Sequence, residues 1–177
     1  MRAEAISRVK LVFSLLDANG NGRIEAEDFD LMARRVTEAA QDSGEPAKSA
    51  LRDAFRRYWA TLSDELDADG DGGVDFDEYT ACVLSPERFD ETVTGFAEAL
   101  AALGDPDGDG LVERDRFVAL MEAIGFERAN IDALFDAFGP SAADRIPVAT
   151  WAEGIKDYYA PDKADIPGDR LVGDAAA

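Results

Sequence analysis

Apolar residues recur along this chain at intervals of three and four, the spacing that lines them up on one face of a helix. Ile6, Val9, Val12, Phe13 and Leu16 form a first stripe, and Phe29, Met32, Ala33 and Val36 a second. Phe55, Trp59, Leu62 and Leu66 are followed by Tyr79, Cys82 and Val83. Val93, Phe96 and Leu100 are followed by Phe117, Leu120, Met121 and Ile124. A last pair of stripes runs through Ile131, Leu134, Phe135 and Phe138, then Trp151, Ile155 and Tyr158. Taken alone, each stripe marks only a core-facing side. Taken in pairs around short polar interruptions, they predict four helix–loop–helix units and an all-α chain. Glu45-Pro46 and Ser85-Pro86 put proline where a first helical turn tolerates it. Gln41 to Glu45 reads as a polar turn around Gly44. Past Pro161 the composition shifts to Pro, Gly, Asp and Ala. That tail either docks through Ile166, Leu171 and Val172 or frays as chain ends do.

Three of the interruptions resemble one another: Asp17-Ala-Asn-Gly-Asn-Gly, Asp67-Ala-Asp-Gly-Asp-Gly and Asp105-Pro-Asp-Gly-Asp-Gly. Oxygen-bearing side chains alternate and a glycine follows. Calcium is a hard cation that takes about six to eight oxygens. A twelve-residue loop supplies them from positions 1, 3 and 5, the carbonyl at 7, position 9, and both oxygens of a carboxylate at 12. Position 6 needs glycine for a sharp turn, and an apolar residue at 8 can pair its backbone with a partner loop.

The second loop meets every requirement, with Asp67, Asp69, Asp71, the Gly73 carbonyl, Asp75 and Glu78 as ligands. A merely solvated acidic turn would not bring Gly72, Val74 and Glu78 into register. The first loop offers Asp17, Asn19, Asn21, the Arg23 carbonyl, Glu25 and Asp28. Its two asparagines lower the ligand charge. Asp28 is one methylene shorter than glutamate, so it reaches an ion less well with both oxygens, which suits Mg2+ better than Ca2+. The third loop offers Asp105, Asp107, Asp109, the Leu111 carbonyl and Glu113, but Arg116 stands at position 12. Either it binds weakly through its first half, or Arg116 neutralises the carboxylates. The fourth interruption, Gly139 to Thr150, keeps Ile146 at the apolar position but has lost the acidic ladder, and no metal is expected there. Asp-x-Asp-x-Asp-Gly also occurs in calcium repeats without flanking helices, but here both stripes flank every loop.

Charge changes the picture next. Of 177 residues, 38 are acidic and 18 basic, a net charge of −20. Such a field repels nucleic acid and anionic membranes and attracts cations. There is no histidine, and the single cysteine, Cys82, forbids an internal disulfide. A phosphate-cradling loop would need a lysine these acidic turns lack. Catalysis is therefore not expected. No apolar run reaches the roughly 18 residues that span a bilayer, and the first ten residues carry no signal-peptide core. A cytoplasmic monomer is expected. Abundant Ala, and Arg in place of Lys, fit a GC-rich bacterial genome.

With these loops in place the chain resembles the EF-hand superfamily. More narrowly it is similar to the sarcoplasmic calcium-binding proteins and their bacterial, calerythrin-like relatives. The cue is loop spacing: starts at 17, 67, 105 and 139 leave gaps of 50, 38 and 34 residues. The resemblance covers residues 1 to about 160. It implies two loop pairs, 1–84 and 85–160, in one compact all-α domain, followed by the 161–177 tail. It also implies calcium binding, for intracellular buffering or signalling, with a calcium sensor that regulates a partner protein as the alternative. Only three methionines, Met1 among them, argue against a Met-rich target groove.

Overall fold

Helices form where the stripes predict them. The computed structural model describes residues 1–66 and 72–173. Its helices are α1 (Ala3–Leu16), α2 (Ala26–Ala39), α3 (Glu45–Leu66), α4 (Phe76–Val83), α5 (Pro86–Leu103), α6 (Arg114–Ile124), α7 (Arg128–Ala137) and α8 (Val148–Tyr158). Two short strands, β1 (Leu111–Glu113) and β2 (Arg145–Pro147), and a 3₁₀ turn (Pro167–Leu171) complete the described elements. Pro46 and Pro86 sit in the first turns of α3 and α5, where no helical N–H is missed. No helix among the described residues is long and apolar enough to cross a membrane.

The four units share one core. Helix α3 lies against α2 and α5, α5 against α8, and α2 against α6, so the two halves are joined by helix faces as well as by chain. At the junction the Tyr58 hydroxyl meets that of Tyr79 at 2.6 Å and that of Tyr159 at 3.2 Å. Phe89 and Phe96 pack edge-on against the Tyr58 ring. In the second half Phe117 packs at a tilt against Phe135 and edge-on against Trp151.

All four tyrosines are buried. Burial holds the phenols of Tyr58, Tyr79 and Tyr158 well above their ordinary value and pushes Tyr159 up to about 12. The folded state thus holds these protons more tightly than the unfolded chain, whose tyrosines ionise near pH ~10. That share of stability is complete below about pH 10 and is lost as the pH climbs through the folded values. Phenolate absorbance and helical circular dichroism are expected to change together in one step above about pH 11. Tyrosines that ionise with an ordinary midpoint while the helices persist would contradict this packing.

The tail docks. Leu171 is buried, Ile166 and Val172 are half-buried, and the 3₁₀ turn lies against α1, α7 and α8. The anchor is a residue that the apolar pattern passes over. Arg8 shares the inward face of α1 with Ala5, Val9 and Val12 and is fully buried. Its Nη1 donates to Asp169 Oδ1 at 2.7 Å, Nε to the Tyr158 carbonyl at 2.8 Å, and Nη2 to the carbonyls of Ala160 and Lys163 at 3.0 and 3.1 Å. The Tyr158 hydroxyl returns a bond to the Arg8 carbonyl at 2.8 Å. Ile6, expected on the core stripe, is instead exposed. The helix turns Ala5 and Arg8 inward and leaves Ile6 at the edge.

Candidate metal centre

Each loop lies between an incoming and an outgoing helix, and the loops meet in pairs through their apolar residues. Ile24 and Val74 exchange backbone hydrogen bonds of 2.9 Å in both directions. Val112 faces Ile146 in the antiparallel pairing of β1 with β2. The pairing matters for the metal because it holds the position-7 carbonyl beside the position-8 amide that fixes the partner loop.

Within the first and third loops the ligand side chains are held by the same ladder. Asp17 Oδ2 accepts from the Gly22 amide at 2.8 Å, and Asp105 Oδ2 from the Gly110 amide at 2.9 Å. Asp17 and Asn19 both accept from the Asn21 amide, as Asp105 and Asp107 do from that of Asp109. Asn21 and Asp109 accept in turn from the amides of Arg23 and Leu111. The turn that makes this possible puts Gly22 and Gly110 at φ +81° and +83°, a region other residues rarely enter. The ladder draws carboxylate oxygens of Asp105, Asp107 and Asp109 to within 4.8 Å of one another. Oxygens at such spacing and of this chemistry suit a hard divalent cation. Asp105 titrates above its ordinary range, through burial first and its bond to Asp107. Asp107 titrates below it, because the Asp109 amide and Asp105 stabilise its charge.

Positions 9 and 12 are joined in three loops by different chemistry. In the first, Asp28 Oδ2 accepts from the Glu25 amide at 2.9 Å. In the second, Glu78 Oε2 accepts from the Asp75 amide and Asp75 Oδ1 from the Glu78 amide, both at 2.9 Å, capping α4. In the third, Arg116 reaches back to the Glu113 carboxylate at 3.2 Å. The fourth has Pro147 at position 9, which offers no N–H to cap. Asp28 is buried, which raises its carboxyl above the usual range despite the Glu25 amide.

Of the remaining second-loop ligands, Gly73 is buried against Arg23 of the paired loop; a Cβ there would stand 3.3 Å from Arg23 Nε. Asp67, Asp69 and Asp71 lie outside the described residues. In the fourth loop Asp144 adopts φ +60° where the others have glycine, and the Asp144 amide bonds the Ser141 carbonyl at 2.9 Å. Its backbone keeps the loop shape with no acidic ladder.

A family profile described as an EF-hand domain pair matches residues 6–84. Calerythrin from Saccharopolyspora erythraea is 24% identical over 165 residues, covering 89% of this chain and 93% of that protein. A Streptomyces coelicolor calcium-binding protein, solved for the structural basis of calcium-mediated regulation, superposes with a TM-score of 0.71 at 22% identity. That match covers 88% of this chain and 98% of the other. Calcium-loaded apo-aequorin from Aequorea victoria gives 0.71 at 16% identity, covering 93% and 94%. At such identities the two structures speak for the fold alone. Matching relatives from rice and Caenorhabditis elegans are described as calcium-binding proteins. Residues 6–84 thus match an EF-hand domain pair, and over most of its length the chain resembles calerythrin.

Proposed function

We propose that this protein binds calcium through its first three loops with graded strength and acts as an intracellular calcium buffer. The observation that carries the reading is the ladder shared by the first and third loops, which in the third draws three carboxylates to within 4.8 Å of one another. Asp67, Asp69, Asp71, the Gly73 carbonyl, Asp75 and Glu78 would form the tightest site, since that loop alone carries a full acidic set and a glutamate at position 12. Asp17, Asn19, Asn21, the Arg23 carbonyl, Glu25 and Asp28 would form a softer one that also accepts Mg2+. The relatives described as calcium-binding proteins support the choice of ion.

Buffering is favoured over sensing because the apolar surface is already covered. Among the described residues only Met1 and Ile6 are large apolar side chains left exposed. Leu171 of the chain's own tail is buried in the core, with its 3₁₀ turn packed on α1, α7 and α8. The sensor reading keeps one observation in its favour, an apolar cavity of about 70 Å³ lined in part by Met32, Met121 and Leu171. Calorimetry with calcium, with and without magnesium, counts the sites, and an apolar dye reports opening. Buffering predicts graded calcium binding with little change in dye fluorescence; a large dye response on calcium would transfer the case to a sensor. Asp28→Glu should shift the first loop toward calcium over magnesium by about tenfold, because the longer side chain offers both oxygens. Unchanged competition by magnesium would remove Asp28 from the ligand set.

A further inference from the structure

The third and fourth loops meet through more than their strands. Arg114, at position 10 of the third loop, donates to Asp144 at 2.8 Å, Asp132 at 3.2 Å and Asp136 at 2.5 Å. Its guanidinium also lies 4.5 Å over the Phe135 ring. Asp144 forms the turn of the fourth loop, so Arg114 ties that turn down. The next residue, Arg145, enters β2 opposite Glu113. From there Arg145 Nη1 reaches Asp109 Oδ2 at 3.4 Å. From the other side Arg116 stands 3.2 Å from Glu113 Oε2 and 3.6 Å from Asp42 Oδ2. Two acidic ligand candidates of the third loop, Asp109 and Glu113, thus each face a guanidinium of the same chain.

We propose that Arg145 and Arg116 are tethered counter-cations that compete with calcium for the third loop and set its affinity. This deepens, and rests on, the reading of the third loop as a metal site. Three carboxylates drawn as close as those of Asp105, Asp107 and Asp109 repel one another, and a nearby cation relieves the repulsion. A guanidinium on the paired strand does so at high effective concentration, since the chain holds it in place. It also stands where a divalent ion's charge would act. Both pairs are about one-third exposed on the arginine side, so each is weak enough for calcium to displace. The third loop is then formed before calcium arrives and fills only after the tighter sites. The charge that sequence comparison would read as a dead position 12 becomes half of a device that lowers affinity without unmaking the loop.

The test follows the Gly110 amide by NMR during a calcium titration of the full chain, because that amide bonds Asp105 and reports this loop alone. The Gly22 amide, bonded to Asp17, serves as the control for an intact fold. Arg145→Gln and Arg116→Gln should each move the Gly110 midpoint to calcium concentrations about threefold to tenfold lower. The Gly22 midpoint should stay in place. Arg145→Lys, which keeps the charge, should lie near the wild type, whereas a merely structural role for Arg145 would not be rescued this way. Arg116→Glu supplies the missing carboxylate and should give the largest shift. A Gly110 midpoint that is the same in the wild type and both glutamine variants overturns the competition. A Gly110 amide that responds in no variant, Arg116→Glu included, overturns the metal site itself and the competition with it.

Discussion

Glu78→Gln is expected to remove the tightest calcium step, weakening it by about 100-fold or more. Glu78 stands at position 12 of the loop with the fullest acidic set, where both carboxylate oxygens serve a large cation. Outer-shell substitutions at metal sites already cost about 10- to 100-fold, and a direct charged ligand should exceed that range. The substitution is mild for the metal-free fold. Glu78 Oε2 accepts from the Asp75 amide to cap α4, and a glutamine carbonyl oxygen can accept the same bond. The Ile24–Val74 pairing uses backbone only and should survive. Calorimetry therefore separates the effects: the highest-affinity step should vanish while the thermal midpoint without calcium stays near the wild type. An isotherm identical to the wild type would remove the Asp67–Glu78 loop from the function.

The second large effect is on stability. Arg8→Ala should cost about 3 kcal/mol, the lower end of what is lost when one partner of a buried ion pair is removed. The lower end applies because Asp169 is 26% exposed and can be rehydrated. The loss includes the bonds to the carbonyls of Tyr158, Ala160 and Lys163, of which the buried Tyr158 carbonyl would be left unsatisfied. Urea unfolding should show a lowered midpoint. Amide exchange should speed up first around Leu171 and Val172, since the tail is held to α1 mainly by this residue. Asp169→Asn should cost less, because the amide oxygen can still accept from Arg8. A stability loss spread evenly over all helices, with the tail still protected, would contradict the latch.

The hydrogen-bond ladders of the first and third loops were legible because they are local. The ladder of Asp17, Asn19 and Asn21 is built from amides at most five residues away, so a dozen consecutive residues suffice to write it. The helices were legible for a similar reason: Val9, Phe29, Leu62 and Phe117 each belong to a stripe of helical spacing and are all buried. The same locality let Ile146 identify a fourth unit with no acidic residue at its ligand positions, since loop pairing needs only an apolar residue at one position. What escaped were contacts between segments far apart in sequence. Arg8 and Asp169 are separated by 161 positions, and Arg145 and Asp109 by 36. No periodicity within either segment marks such a partner. Ile6 was misplaced because a stripe sets a face only to within a fraction of a turn, and the tail decided which neighbour faced inward.

The amino-acid sequence by itself determined four helix–loop–helix units and the graded completeness of their loops, fullest in Asp67 to Glu78, because helical periodicity and oxygen spacing are short-range. Only the tertiary structure decided that the tail is docked and that Arg8 is its buried anchor. It alone also placed the arginines of the second loop pair on that pair's own carboxylates. Those outcomes depend on which distant charges a shared core brings within hydrogen-bond reach, and that is settled only when the helices pack.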